Sequence, residues 1–179
     1  TEHLDPYGTF RPMAVSQNRV IFVLDPVVGL VRVHPQDGIA RVFIPSGPTS
    51  LPADYGAAPL AAARITASSM YGGTKQIALD YAGALLIVDG PRIRRIPNAT
   101  QLDTTGLVIE PFIGGGVDTA DTTTASTIAI QPLAFNSLYR MTLVPLPNGD
   151  LLFPSENDTT VMTTVRVRHY HAATGQITS

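Results

Sequence analysis

The chain contains no cysteine. That absence removes disulfides, thiolate catalysis and cysteine-based zinc sites together, while leaving the compartment open. Lysine is nearly missing too: Lys75 is the only one, and the remaining 11 of the 12 basic residues are arginines, a bias of composition. Charge of either sign is scarce at 15% of residues and nearly balanced at a net −2. A nucleic-acid-binding chain would show a basic excess, so none is expected to bind here. No apolar run reaches the ~18 residues that a spanning helix needs, so no membrane insertion is expected. The sequence also lacks an initiator Met and a signal-peptide pattern, and Thr1 reads as a processed or cut end.

What is present points to a folded β protein. Hydrophobic residues make up 44% of the 179, enough to exclude disorder and to fill a real core. The 15 Gly and 15 Pro follow no short period, as in a turn-rich all-β chain. The clearest segment is Gln76–Phe112, which reads as four short apolar strands: Ile77–Asp80, Ala84–Asp89, Arg92–Ile96 and Leu107–Phe112. Gly or Pro stands in each break between them, where strands reverse.

The same meander occurs three times. Met13-Ala14-Val15, Ile77-Ala78-Leu79 and Met141-Thr142-Leu143 follow one another at intervals of 64 residues, and Asp25 and Asp89, also 64 apart, end the second strands of the first two units. In the third unit Leu151-Leu152-Phe153 takes the second-strand place, shifted by one or two residues by the longer turn Pro147-Asn148-Gly149. Third strands read Val31–His34, Arg92–Ile96 and Val165–His169, and the turns after them end in Gly38, Gly106 and Gly175. A four-strand unit repeating at this length implies radial sheets, a β-propeller; a sandwich needs no such in-phase repeat. The expected blades are 12–44, 76–112 and 140–179, with linkers 45–75 and 113–139. Within the linkers, Pro59–Arg64 reads as a short helix or an ordered loop, and Asp118–Thr127 as an exposed loop.

The second unit resembles an NHL repeat. The resemblance rests on Ile77-Ala78-Leu79-Asp80, Ala82-Gly83, Leu85–Asp89, Arg92–Ile96, Thr105-Gly106 and the run Phe112–Gly116. The third unit, with Asn148–Phe153 and His171–Gln176, is looser and is similar to a kelch blade as well. The resemblance implies a six-bladed ring, of which three blades would be part. A longer chain is the leading expectation; two copies pairing as half-rings, or a missing strand supplied by another segment, are the alternatives. Relatives of this kind include a zinc-holding amidating lyase, lactonase-like enzymes and RNA binders.

Few residues point to chemistry, and no catalytic residue is expected. His34 and His169 hold similar third-strand places, and His169 and His171 share one strand face by period 2, which makes these three the metal candidates. The plainer reading is polar residues facing solvent, since His171 leads into a turn. Asp25 and Asp89 read as one structural role per blade, each accepting turn amides, alongside Gly38, Gly106 and Gly175. Asp118, Asp121 and neighbouring carbonyls offer oxygens of the kind calcium takes, but their spacing matches no EF-hand or similar pattern. Arg92, Arg94 and Arg95, with Arg166 and Arg168, alternate along third strands and lack the aromatic interleaving of an RNA surface. Gly114-Gly115-Gly116 is no phosphate loop, because no Lys-Ser/Thr follows. Asn98 and Asn157 head glycosylation sequons.

These observations predict a non-catalytic propeller module for protein–protein interaction or structural assembly, extracellular or on a cell surface. Its partners would be proteins or the remaining blades, with no cofactor required and calcium or zinc as the metals to consider. The alternative is a propeller enzyme or ligand-binding domain, lyase- or lactonase-like, with an axial metal site. The apolar first strands weigh against it.

Overall fold

The structure, a computed structural model, describes residues 12–25, 27–47, 56–66, 76–89, 92–116, 122–126, 128, 142–156 and 165–179. They form three five-stranded sheets, with no helix among the described residues. Sheet 1 holds β1 (Met13–Val15), β2 (Ile21–Asp25), β3 (Gly29–Val33) and β4 (Ala40–Gly47) as an antiparallel meander. Two short strands follow, β5 (Ala58–Pro59) and β6 (Ile65–Thr66), and β6 lies parallel to the end of β4. Sheet 2 is the meander β7 (Ile77–Leu79), β8 (Leu85–Asp89), β9 (Arg92–Ile96) and β10 (Val108–Gly114), with β5 added beyond β10. Sheet 3 has β11 (Thr122–Thr124) outermost. Inward from it run β15 (Gln176–Thr178), β14 (Val165–His171), β13 (Leu151–Glu156) and β12 (Val144–Pro145).

The three meanders share their first turn. It has five residues in each sheet: Ser16–Val20, Asp80–Ala84 and Leu146–Asp150. In each, the first amide donates to the fifth carbonyl and the fourth amide to the first carbonyl. The fourth residue has positive φ: Arg19 at 62°, Gly83 at 83° and Gly149 at 88°. Only glycine takes that conformation freely, so sheet 1 carries local strain that the other two avoid.

This shared turn corrects the repeat spacing in the third unit. Ala78 pairs with Leu86 and Leu79 with Leu85; in sheet 3, Val144 pairs with Leu152 and Pro145 with Leu151. The first strand therefore sits two residues later than the 64-residue interval places it, and the turn after it is no longer than the others. Met141 lies outside the described residues. One open alternative is decided and one further expectation changes. Pro59–Arg64 forms no helix: Pro59 ends β5, and its carbonyl accepts the Ala62 and Ala63 amides in a turn. The threonine-rich stretch is not simply an exposed loop, since Thr122–Thr124 is a strand with Thr123 buried. The stretches read as linkers, 45–75 and 113–139, thus donate strands to sheets.

Side-chain alternation explains how the sheets stack. On β8, Leu85 and Ile87 enter a core shared with sheet 1, which contains Phe22, Leu24, Leu30 and Ile44. Leu86 and Val88 enter a second core with Leu151, Phe153 and Ile177 of sheet 3. All five residues of β8 are buried, which is why this strand reads as an unbroken apolar run. Full burial of each such aliphatic side chain stabilises by about 1.5–3 kcal/mol. Phe112 of sheet 2 meets Tyr170 of sheet 3 edge-on, with ring centroids 4.9 Å apart. Arg32 ties sheets 1 and 2 together by donating to the carbonyls of Ala99, Gln101 and Leu102 at 3.2, 2.8 and 3.1 Å.

Sheet 1 is apolar on its other face as well. Pairing aligns Met13, Val23, Val31 and Val42 in one row, and Val15, Ile21, Val33 and Ala40 in the next. Met13 is 63% exposed, Val15 53% and Val42 51%. By register this face matches the face of sheet 2 that is buried against sheet 1.

Candidate functional site

The last sheet brings together the one grouping of three metal-type ligands among the described residues: Asp150, His169 and His171. Asp150 ends the shared five-residue turn, and its amide donates to Asn148 Oδ1 at 3.2 Å. His169 and His171 sit two apart on β14, which runs through His171, so both rings fall on one face. The rings lie close, with centroids 3.9 Å apart at 43°.

The geometry fixes roles for individual atoms. His169 Nε2 stands 2.8 Å from Asp150 Oδ2, and the carboxylate can only accept, so this imidazole nitrogen donates. Asp150 Oδ1 accepts the Ala172 amide at 2.8 Å. That amide bond is the main reason the Asp150 carboxyl titrates below its ordinary range, with the bonds from His169 and Asn148 adding to it and burial opposing. His171 Nε2 is 3.0 Å from Thr178 Oγ1, and its Nδ1 lies 3.8 Å from Asp150 Oδ2. The three candidate ligand atoms all fall within 4.8 Å of one another.

The cluster is specific to sheet 3. The position of Asp150 is held by Val20 in sheet 1 and by Ala84 in sheet 2, both buried. By register, His169 corresponds to Arg32 and Arg95, and His171 to His34 and Pro97. His34 therefore matches His171 in register, not His169. It stands apart from the cluster, with Nδ1 accepting the Gln36 amide at 3.3 Å. Sequence reasoning missed Asp150. The signal available was a carboxylate directly after Asn148-Gly149, where the other two units carry an apolar residue.

The remaining candidate residues occupy varied settings. Asp25 Oδ1 accepts the amides of Val27 and Val28 at 2.8 and 2.9 Å. Asp89 is fully buried and pairs with Arg94 at 3.1 Å; Arg94 also donates to the carbonyls of Arg64 and Gly56, holding the preceding segment onto sheet 2. Arg95 donates to Glu110 through Nε and Nη2 and lies 4.9 Å from the Phe112 ring centroid. Arg92 is half-buried on β9, and Arg168 is buried and donates to Ser179 Oγ at 2.6 Å. Arg166 lies on β14. Gly38, Gly106 and Gly175 all have positive φ in the turns between third and fourth strands. Asn98 is exposed in such a turn with φ 56°. Asp118, Asp121 and Asn157 lie outside the described residues.

A groove of about 460 Å³ separates sheet 1 from the outer part of sheet 2 and is lined by Arg32, His34, Phe43, Leu60, Leu102 and Leu107. Its main cation is engaged, since the Arg32 guanidinium bonds the three carbonyls named above and stacks on Phe43 at 4.9 Å. Comparison with the models of known protein families and with curated proteins gives no match to this chain.

Proposed function

We propose that this chain is a run of three β-propeller blades serving as a non-catalytic module for protein–protein interaction or structural assembly, outside the cell or on its surface. The observation that carries this reading is the four-strand meander order common to the three sheets. Each meander has the same turn and the same facing rule, and the first strands adjoin one another, β1 beside β7 and β7 beside β12. Sheets arranged with their first strands together are what radial packing around an axis requires. The apolar outer face of sheet 1, on which no sheet packs among the described residues, supports the same reading, because its counterpart in sheet 2 is filled by a neighbouring sheet. An axial catalytic or metal site would need polar groups on the first strands, and β1, β7 and β12 carry Met-Ala-Val, Ile-Ala-Leu and Val-Pro. The exposed Asn98 turn is a place for a glycan on a secreted protein.

The cysteine-free background makes the arrangement testable. Single cysteines placed in pairs on β1, β7 and β12 should crosslink with a short reagent between β1 and β7 and between β7 and β12. Crosslinking of β1 to β12 with equal efficiency, or a solution scattering profile of a closed two-layer sandwich, would sink the radial arrangement. For the assembly role, sedimentation should show the chain self-associating, and Val31→Lys with Val42→Lys should leave it monomeric with unchanged circular dichroism. A wild-type monomer over the micromolar range would count against assembly through this face. Intact mass of the protein from its native source should show sugar on Asn98; a bare chain would count against the secreted location.

A further inference from the structure

We infer that Asp150, His169 and His171 form a binding site for a single divalent ion of the zinc class, built within sheet 3 and away from the first strands. The inference does not depend on the propeller reading. Imidazole nitrogens and a carboxylate oxygen are the donor set that zinc and its neighbours accept. With bonds of about 2.0–2.1 Å, donor atoms around a tetrahedral zinc lie roughly 3.3 Å apart. The present spacings bracket that value: Asp150 Oδ2 is 2.8 Å from His169 Nε2 and 3.8 Å from His171 Nδ1. A small side-chain movement, with the His169 proton shifting from Nε2 to Nδ1 or being released to solvent, therefore brings all three onto one ion.

The surroundings supply the supports that ligands usually have. His171 can donate from Nε2 to Thr178 Oγ1, which leaves Nδ1 without a hydrogen 3.8 Å from the carboxylate. In that tautomer an unprotonated nitrogen stands near an anionic oxygen, an unfavourable meeting that a cation between them reverses. Asp150 Oδ1 is held by the Ala172 amide, so Oδ2 is the oxygen left for the ion. The rest of the molecule shows the same backbone without the site: sheet 1 keeps a histidine at the matching position, His34, but has Val20 and Arg32 where sheet 3 has Asp150 and His169. Three ligands from two neighbouring segments leave at least one coordination position of a four-coordinate ion for another donor. The ion would clamp the turn before β13 to the end of β14.

The test titrates zinc chloride into the purified, metal-stripped full chain at neutral pH by calorimetry, with cobalt(II) absorption as a second probe. One ion per chain and cobalt bands of a low-coordinate nitrogen–oxygen site are expected. His171→Gln and Asp150→Asn should abolish measurable one-to-one binding, and Thr178→Ala should weaken it by about tenfold, the usual effect of losing an outer partner. His34→Gln should leave affinity unchanged. Absence of binding by the wild-type chain, or unchanged affinity in the His169→Gln/His171→Gln double variant, would overturn the assignment. Histidine ring resonances of the wild-type protein give a readout independent of variant folding. Zinc should shift those of His169 and His171, and shifts confined to the other histidines would equally overturn it.

Discussion

The outer face of sheet 1 and the outer face of sheet 3 are the two ends of one stack, built on the same meander, and their chemistry is opposite. At one end lie two rows of Met, Val, Ile and Ala, exposed at Met13, Val15, Ala40 and Val42 and half-buried at Ile21, Val23, Val31 and Val33. At the other, the row Val144, Leu152, His169, Thr178 and Thr122 is mixed, and the Asp150–His169–His171 cluster sits on it. Sheet 2 shows what either face looks like when covered, since its β8 is buried on both sides. Backbone topology therefore sets where faces lie, and the residues written onto them decide whether a face seeks another sheet or a polar ligand.

Truncation inside and outside the stack gives the largest contrast. Phe22→Ala and Phe153→Ala, each opening a cavity in one of the two cores, should cost about 3–5 kcal/mol by urea unfolding. Close behind comes Asp89→Asn, which strands the buried Arg94 and should cost about 3–5 kcal/mol, against about 1 kcal/mol or less for Asp25→Asn with its exposed turn bonds. An Asp25 effect as large as that of Asp89 would support a single structural role for the two aspartates. Arg19→Gly should stabilise by about 1 kcal/mol, because it relieves a left-handed residue where sheets 2 and 3 already have glycine. Val42→Thr on the open face should change stability by no more than about 0.5 kcal/mol at low protein concentration. A cost comparable with Phe22→Ala would mean that face is covered. The smallest effect belongs to Asp103, whose carboxyl is held below its ordinary 3.8 chiefly by the Thr105 amide. A lowered folded value means its contribution is fully present above about pH 3.8 and is lost as pH falls through the folded value. The stability gap between wild type and Asp103→Asn should therefore be flat at neutral pH and close only under strongly acidic conditions.

Much of the architecture was legible because strand alternation and glycine turns are local signals. Ile77–Leu79, Leu85–Asp89 and Arg92–Ile96 stand where the apolar runs and their breaks place strands. Less visible was anything decided by pairing between distant segments. Ala58–Pro59 and Thr122–Thr124 are strands only because β10 and β15 offer free edges to them, and neither stretch carries a strand pattern of its own. The two-residue offset of the third unit was hidden for the same reason, since register belongs to the pair and not to the strand. Of the site, the two histidines could be read from period 2. Their carboxylate partner lies 19 positions before His169 in the chain, and only the fold brings it near.

The strands that precede each meander also determine where the chain can be divided. β5 closes onto β10 about 50 residues later, and β11 onto β15 at a similar distance, so sheets 2 and 3 are each finished by a segment made before their first inner strand, whereas sheet 1 takes its fifth strand, β6, from the segment that follows it. During synthesis the outer strand must wait, unpaired, until the rest of its sheet has been made. A protease cut between β5 and β7 would leave both meanders intact in sequence yet detach the edge of sheet 2. For grafting or exchange, the transferable unit of the middle sheet is then 56–116, starting at the waiting strand. A piece beginning at Gln76 would carry the meander with β10 uncapped, open to pairing with any strand it met.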